Sequence, residues 1–385
     1  MLEVSFTIRW GGAVSATQQK AMVEAWARCR SDTTSPSARD ENSPVSDYPF
    51  TASLYFDSRL AGVGVRHLGS DTFEGLAEAV TSEVTIAAIL ERGGELTMLH
   101  ACGVADPDGA VIALVAKSGT GKTTASSQLA RSFGYITDET VATRADGTVV
   151  PYPKPLSVKQ VSPGAAKLQV GPDELGLQPA PANPRITAIA LLDRVTDGGY
   201  QVPAIEPVPL VEAVLALIPD TSSQAAVVRP LQSLCELIDS VGGVFRVSYS
   251  EAADLTDSLA PLFLRDPVEP SDASREWSPA LIQRGTDPAG QSIEQPAEHI
   301  PDGWLRRSDV VDAVEIGEDL LVLTETELTR LSGIGPIIWQ TAQRPVSMET
   351  LVGRIEAVHG LPEGYEELLD AAVDGLVNHG LLLLG

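Results

Sequence analysis

Cysteine is scarce in this sequence: 3 among 385 residues, at positions 29, 102 and 235, with no close pair. That spacing excludes a disulfide-stapled scaffold and a four-cysteine zinc site, and it fits a reducing compartment. Positive charge is short as well, with 27 Lys and Arg against 52 Asp and Glu, a formal net charge of -25. A surface so acidic repels nucleic-acid phosphate and anionic lipid, so nucleic acid is not expected as a partner. Long apolar runs are missing too. No stretch approaches the roughly 18 residues of a membrane span. The opening residues, M-L-E-V-S-F, carry no basic-then-apolar leader, and the chain reads as cytoplasmic.

What is present is enough apolar material to bury sizeable cores, 43% of the chain. At about 150 residues per domain, two or three domains are expected. Residues 31–48, polar and rich in Ser, Pro and Asp, read as a mobile loop. Residues 266–303 combine Pro, Ser, Gln and charge without any helical or strand period, the composition of a flexible linker. The expected division is a β-rich supporting region (1–94), a nucleotide-binding core (95–265), the linker (266–304) and a small domain (305–385).

Within the core, strands and helices alternate. The run A-V-I-A-L-V-A at 110–116 reads as a strand buried on both faces. A helix is expected over 124–133, ended by Gly134, then one strand over 135–143 and a turn over 144–147. Strands over 186–192 and 244–249 and helices over 210–217, 227–241 and 252–264 complete an α/β class with a mixed sheet. In the first region, strands are expected at 4–10 and 53–56 and a helix at 72–92.

The strand at 110–116 runs straight into A-K-S-G-T-G-K-T, residues 116–123. The spacing is that of a P-loop, with Ala116 where the general form has its first glycine. Gly119 and Gly121 let backbone N–H groups approach phosphate oxygens, and the next helix adds its positive end. Lys122 supplies a cation for the terminal phosphates, and the Thr123 hydroxyl suits Mg²⁺. Lys117, Ser118, Gly119, Thr120, Gly121, Lys122, Thr123 and Thr124 are the expected binding set for a nucleoside triphosphate, ATP with Mg²⁺.

Around this loop stand Leu99-His100, a turn at 105–109, Tyr135-Ile-Thr-Asp-Glu139, and Y-P-K-P-L-S-V-K at 152–159. In this order they resemble the HPr kinase family and HPr-kinase-related proteins, over roughly residues 95–265. The resemblance implies an HPr kinase/PEP carboxykinase-like core. It sets His100 beside the transferring phosphoryl group and makes Asp138 the base or water-positioning residue. Asp138, Glu139 and Thr123 become the groups that hold the metal. The chain departs from the family in having Thr124 where a Glu follows the loop, and in lacking the second family signature. Phosphorylase activity, and HPr itself as acceptor, are therefore not implied. Lys154 and Lys159 read as solvated lysines, and Cys102 as buried structure.

In residues 305–385 a hairpin turning at Gly317 precedes a segment, 328–341, that carries Leu331, Ile334, Ile338 and Trp339 toward one core. Helices over 348–358, capped by Ser347, and over 366–378 follow, with a last strand at 381–384. Hairpin, G-x-x-I-W, Ser-x-E-x-L and final G-L-L resemble the PqqD-like family. That resemblance implies a winged-helix-like domain that takes a peptide as an added strand. With no Lys in 305–385, DNA is not expected there.

The combined expectation is an ATP-dependent kinase acting on a hydroxyl, a Ser or Thr of a peptide or protein held by the C-terminal domain. Its setting would be peptide tailoring or envelope-polysaccharide production, with homo-oligomers possible. The rival is a nucleotide-dependent regulatory or scaffold protein without phosphotransfer.

Overall fold

A computed structural model describes the chain except residues 1, 12, 30–49, 56–59, 61–63, 118–121, 161, 163, 197–199, 266–274 and 281–298. The loop expected at 31–48, the loop residues Ser118 to Gly121 and most of the linker thus lie outside the described residues. The chain divides into two compact units. One comprises Met1–Val208, Pro219–Val227 and Ser240–Glu269, the other Pro209–Ile218, Val228–Asp239 and Pro270–Gly385.

The first unit opens with β1 (Ile8–Trp10) and α1 (Ala16–Ala25). Ser15 starts this helix with a full capping box, exchanging bonds with Gln18. Next come β2 (Phe50–Leu54), β3 (Arg66–Ser70) and α2 (Phe73–Glu91), whose N-cap Thr72 accepts from the Gly75 amide. Strands β1, β2 and β3 make a parallel sheet on which α2 packs, burying Leu76, Val80 and Val84. Among the described residues, the region expected as β-rich thus holds more helix than strand.

The central part continues with β4 (Thr97–Leu99), β5 (Ala101–Ala105), β6 (Ala110–Val115) and α3 (Lys122–Leu129). It goes on through β7 (Gly134–Thr137), β8 (Val141–Thr143) and β9 (Val149–Val150). A small ribbon, β10 (Leu156–Val158) with β11 (Leu168–Val170), leads to the long β12 (Arg185–Arg194) and to β13 (Ala204–Val208). In chain order α4 (Leu210–Leu217) precedes β14 (Thr221–Ser222) and α5 (Pro230–Ser240) follows it. The chain then returns through β15 (Val244–Tyr249), α6 (Leu255–Ser258) and α7 (Ala260–Phe263). The expected helix over 252–264 is broken into short pieces, with Pro261 in the first turn of α7.

Six strands in the order β13-β15-β12-β6-β5-β7 form the main sheet. β12 runs parallel to β6 and β15 while the remaining pairs are antiparallel, so the sheet is mixed and the class α/β. Ile112, Leu114, Ala188, Ala190 and Val247 pack with Leu129 of α3 and Phe263 of α7. Each large side chain so buried contributes about 1.5–3 kcal/mol. Gly134 does not end α3. It opens β7, where an added Cβ would sit 2.8 Å from the Pro179 carbonyl oxygen.

In the second unit, β16 (Trp277–Pro279), β17 (Trp304–Arg307), β18 (Asp312–Ile316), β19 (Asp319–Leu323) and β20 (Leu328–Leu331) precede α8 (Gly335–Thr341). Then follow β21 (Val346–Ser347), α9 (Met348–His359), α10 (Tyr365–Asn378) and β22 (Leu382–Leu384). One antiparallel sheet has the order β16-β18-β19-β20, the other β21-β17-β22. Gly317 turns the hairpin at φ 60°, and Ser347 caps α9 by accepting from the Thr350 amide. Ile338, Trp339, Leu351, Leu369 and Leu376 fill the core. Two findings depart from expectation. Residues 277–279 of the supposed linker are a strand on β18, and α4 and most of α5 group with this unit rather than with the core. No helix among the described residues is long and apolar enough to cross a membrane.

Candidate functional site

The site grows from a bend in two neighbouring strands. β5 and β7 pair within the six-stranded sheet, while β4 and β8 pair within a second sheet, β14-β4-β8-β9. The chain passes from β4 to β5 through a single residue, His100, and from β7 to β8 through Asp138, Glu139 and Thr140. The pairs Leu99–Val141 and Gly103–Thr137 bracket the change of sheet, so the two crossing points share one corner. The segment 135–143, expected as one strand, is thus two. The Thr137 hydroxyl makes the bend by accepting from the Glu139 and Thr140 amides, both at 3.2 Å.

Three elements converge on this corner. The His100 amide donates to the Asp220 carbonyl at 2.6 Å, next to β14. From the start of α3, Lys122 Nζ donates to the His100 carbonyl at 3.0 Å. The third arrival is Lys154, fully buried, with Nζ 2.9 Å from Asp138 Oδ1 and 3.0 Å from Glu139 Oε2. Its segment, P-Y-P-K-P at 151–155, has three prolines that lack amide protons and hold the backbone extended. The Tyr152 amide ties it to β7 by donating to the Ile136 carbonyl at 3.0 Å, and the Tyr152 hydroxyl meets Thr85 Oγ1 of α2 at 2.8 Å. Tyr135 completes the lock, its hydroxyl 3.2 Å from Asp138 Oδ1 and 3.1 Å from the Lys154 carbonyl.

The electrostatics separate the two lysines. Burial would lower Lys154, but the two carboxylates hold it above its ordinary value, so it stays an ammonium. Burial would likewise raise Glu139, yet Lys154 above all, with His100 and Lys122, holds it below the usual carboxylate range. Lys122 is half-buried, and burial lowers it. Among the described residues its ammonium makes no ion pair, only the bond to a carbonyl. A half-desolvated cation so placed is suited to receive an anion. Burial, then Lys122, lowers His100 below 6.5, so its imidazole is neutral at neutral pH. Cys102 is buried on β5 with its thiol pushed up by desolvation to about 12, too high for nucleophilic use.

Of the residues read from the sequence, His100, Lys122, Asp138 and Glu139 therefore meet at one corner. Thr123 is half-buried and Thr124 exposed at the start of α3, Lys117 is exposed just after β6, and Ser118, Gly119, Thr120 and Gly121 lie outside the described residues. The sequence pattern makes Lys154 a solvated lysine, whereas in the structure it is the most buried charge of the site. The proline-framed segment around it was the signal, since such a run holds one shape and not a mobile surface loop. Tyr135 and Asp220 were not singled out either. Fit to a metal is poor at the acidic pair. Lys154 stands between the two carboxylates, and among the described residues no group of three His, Cys, Asp or Glu could hold an ion.

In the second unit the hairpin has one edge taken, because β16 pairs with β18, while β20 ends the sheet on the other side. Just beyond β20, Ile334, Val352, Ile355, Leu361, Tyr365 and Leu368 line an apolar groove of about 530 Å³. Leu368 is 59% exposed there.

No protein-family model matches this chain, and no curated protein does. Among solved structures, the HPr(Ser) kinase/phosphatase from Coxiella burnetii matches at 12% identity, over 43% of this chain and 92% of that one, with a TM-score of 0.23.

Proposed function

We propose that this chain binds ATP at the corner of the first unit and transfers the terminal phosphoryl group to a hydroxyl of a peptide or protein. The observation that carries the reading is the meeting of Lys122, which makes no ion pair among the described residues, with the Lys154-paired Asp138 beside a strand-to-helix P-loop sequence. In this scheme Lys122 and the amides opening α3 offset the phosphate charge. The acceptor oxygen bonds to the γ-phosphorus as the β–γ bridging P–O bond breaks, releasing ADP, and the hydroxyl proton passes to Asp138. Both partners of Asp138 among the described residues take Oδ1, which leaves Oδ2 for that proton. His100, neutral, can donate to a phosphoryl oxygen from the facing strand crossing. Mg²⁺ would supply further charge neutralisation, arriving with the phosphates and helped by the Thr123 hydroxyl.

The acceptor peptide is best suited to the second unit. Among the described residues one side of β20 carries no strand and can take an added one, and the groove that Ile334 helps to line can take one apolar side chain. Glu363, Glu366, Glu367 and Asp370 lie on the same stretch of chain as the groove residues, so a peptide with basic residues around its apolar anchor fits.

Single-turnover incubation with γ-labelled ATP, Mg²⁺ and peptides encoded beside the gene tests this, with Lys122→Ala as the blank. Label on a peptide only when Lys122 is intact establishes the kinase. Asp138→Asn should then keep ATP affinity and lower transfer by about 100-fold or more. Tight ATP binding with neither labelled peptide nor released phosphate sinks it. That outcome would favour a nucleotide-dependent regulatory or scaffold protein, for which the saturation of Asp138 Oδ1 and the Thr124 departure already speak.

A further inference from the structure

The corner contains two lysines, and only one of them has a place in the proposed transfer. Lys154 cannot act on a ligand directly. It is fully buried, its ammonium spans Asp138 and Glu139 at 2.9 and 3.0 Å, and its remaining bond goes to the Pro155 carbonyl at 3.3 Å. A divalent ion bound by both carboxylates would need the space between them, which is where the ammonium sits. The two cations would also lie within contact distance, where repulsion in a partly desolvated site is severe. Lys154 is moreover not a side chain that can swing aside. Its segment is held by three prolines, by the Tyr152 amide on β7 and by the Tyr152 hydroxyl on α2.

We propose that Lys154 is the resident cation of this corner, a positioning residue that takes the place of a divalent ion between Asp138 and Glu139, so that metal enters only with the nucleotide phosphates and is not held by the acidic pair. The proposal rests on the nucleotide-binding reading above for its second half alone. Its physical sense is that a covalently tethered ammonium holds Asp138 aimed at all times, whether or not nucleotide is present.

The test uses the full chain and Mn²⁺ as the probe, followed by the loss of its free-ion paramagnetic resonance signal. Without nucleotide, the wild-type chain should leave Mn²⁺ free up to millimolar concentration. With ADP added, bound Mn²⁺ should appear, and Asp138→Asn and Glu139→Gln should each leave its affinity within about twofold. A metal held by these carboxylates would instead weaken by about tenfold or more on either change. Lys154→Met, where it folds, should gain a nucleotide-independent Mn²⁺ site. Nucleotide-independent binding by the wild type that Asp138→Asn abolishes would overturn the proposal, as would the tenfold weakening in the ADP complex. If a fluorescent ATP analogue fails to bind at all, the nucleotide reading falls, and the nucleotide-free arm still decides the role of Lys154. The carboxylate variants decide it likewise if Lys154→Met does not fold.

Discussion

Lys122 and Lys154 carry the same group into the same corner, and their surroundings give them opposite tasks. Removing Lys154 leaves two carboxylates facing each other, one of them buried, without their paired counter-charge, and breaking a buried pair in this way costs about 3–5 kcal/mol. Lys154→Met is therefore expected to lower unfolding free energy by about that amount in urea titrations, whereas Lys122→Ala, which breaks no ion pair among the described residues, should cost about 1 kcal/mol or less. Equal losses would mean the two lysines are not distinguished as described. The pH response follows from the same groups. His100 and Glu139 both have folded values below their ordinary 6.5 and 4.5, so each contributes stability above its unfolded value that is lost as pH falls through the folded one. Stability should thus decline from about pH 6.5 downward and more steeply below about 4.5. Lys154, raised above 10.5, contributes stability that is full below that value and lost only in strong alkali. His100→Gln should remove the upper part of the acid decline in thermal melts across pH, and an unchanged profile would assign it elsewhere.

At the scale of elements the site exists because two strand pairs leave one sheet for another at the same point. Gly103 sits opposite Thr137 at this bend, and an added Cβ would lie 2.9 Å from Val141 Cγ2 and 3.2 Å from Ile136 Cβ. Gly103→Ala should cost about 1–3 kcal/mol through overpacking. By pushing β7 and β8 apart it should also weaken ATP binding, read with a fluorescent analogue, and retention of both would show the corner to be slack. This bend was not legible in the sequence. Tyr135 to Thr143 alternates β-favouring residues without a glycine or proline, so local pattern predicts one strand, and only pairing with β4 and β5 reveals two. Elements with strong local signals were legible: the apolar run of β6, the amphipathic α2 and α10, and the Ser347 cap. β16 was not, because a strand of 3 residues on a sheet edge has too few positions to show alternation. Lys122 is read from the local spacing of a phosphate loop, and His100, Asp138 and Glu139 from the resemblance to the HPr kinase family, while Lys154 reaches them only through the fold.

Across the whole chain, charge is the property most directly tied to a partner. The net charge of -25 is shared by the second unit, where residues 305–385 hold fourteen Asp and Glu against five Arg. The unit is also more than the C-terminal segment. Asp312 of β18 accepts from the Gln232 amide at 3.0 Å and from Gln232 Nε2 at 2.8 Å, which ties α5 into it. A reading by sequence order assigned α5 to the core, because nothing local announces a partner 80 residues away. A groove on so acidic a unit selects peptides by a basic charge pattern and by one apolar anchor, and the two contributions respond to different perturbations. Raising salt from low to high ionic strength screens the first, so the affinity of a basic peptide should fall while that of a neutral, equally apolar one should not. Leu368→Glu removes the apolar rim at a residue 59% exposed, so it should leave the melting temperature nearly unchanged. It should weaken the same peptide by about tenfold or more, equivalent to about 1.4 kcal/mol. Fluorescence anisotropy with labelled peptides reads both effects on the full chain. Binding that is insensitive to Leu368→Glu, or that strengthens with salt, would move the peptide site away from the groove.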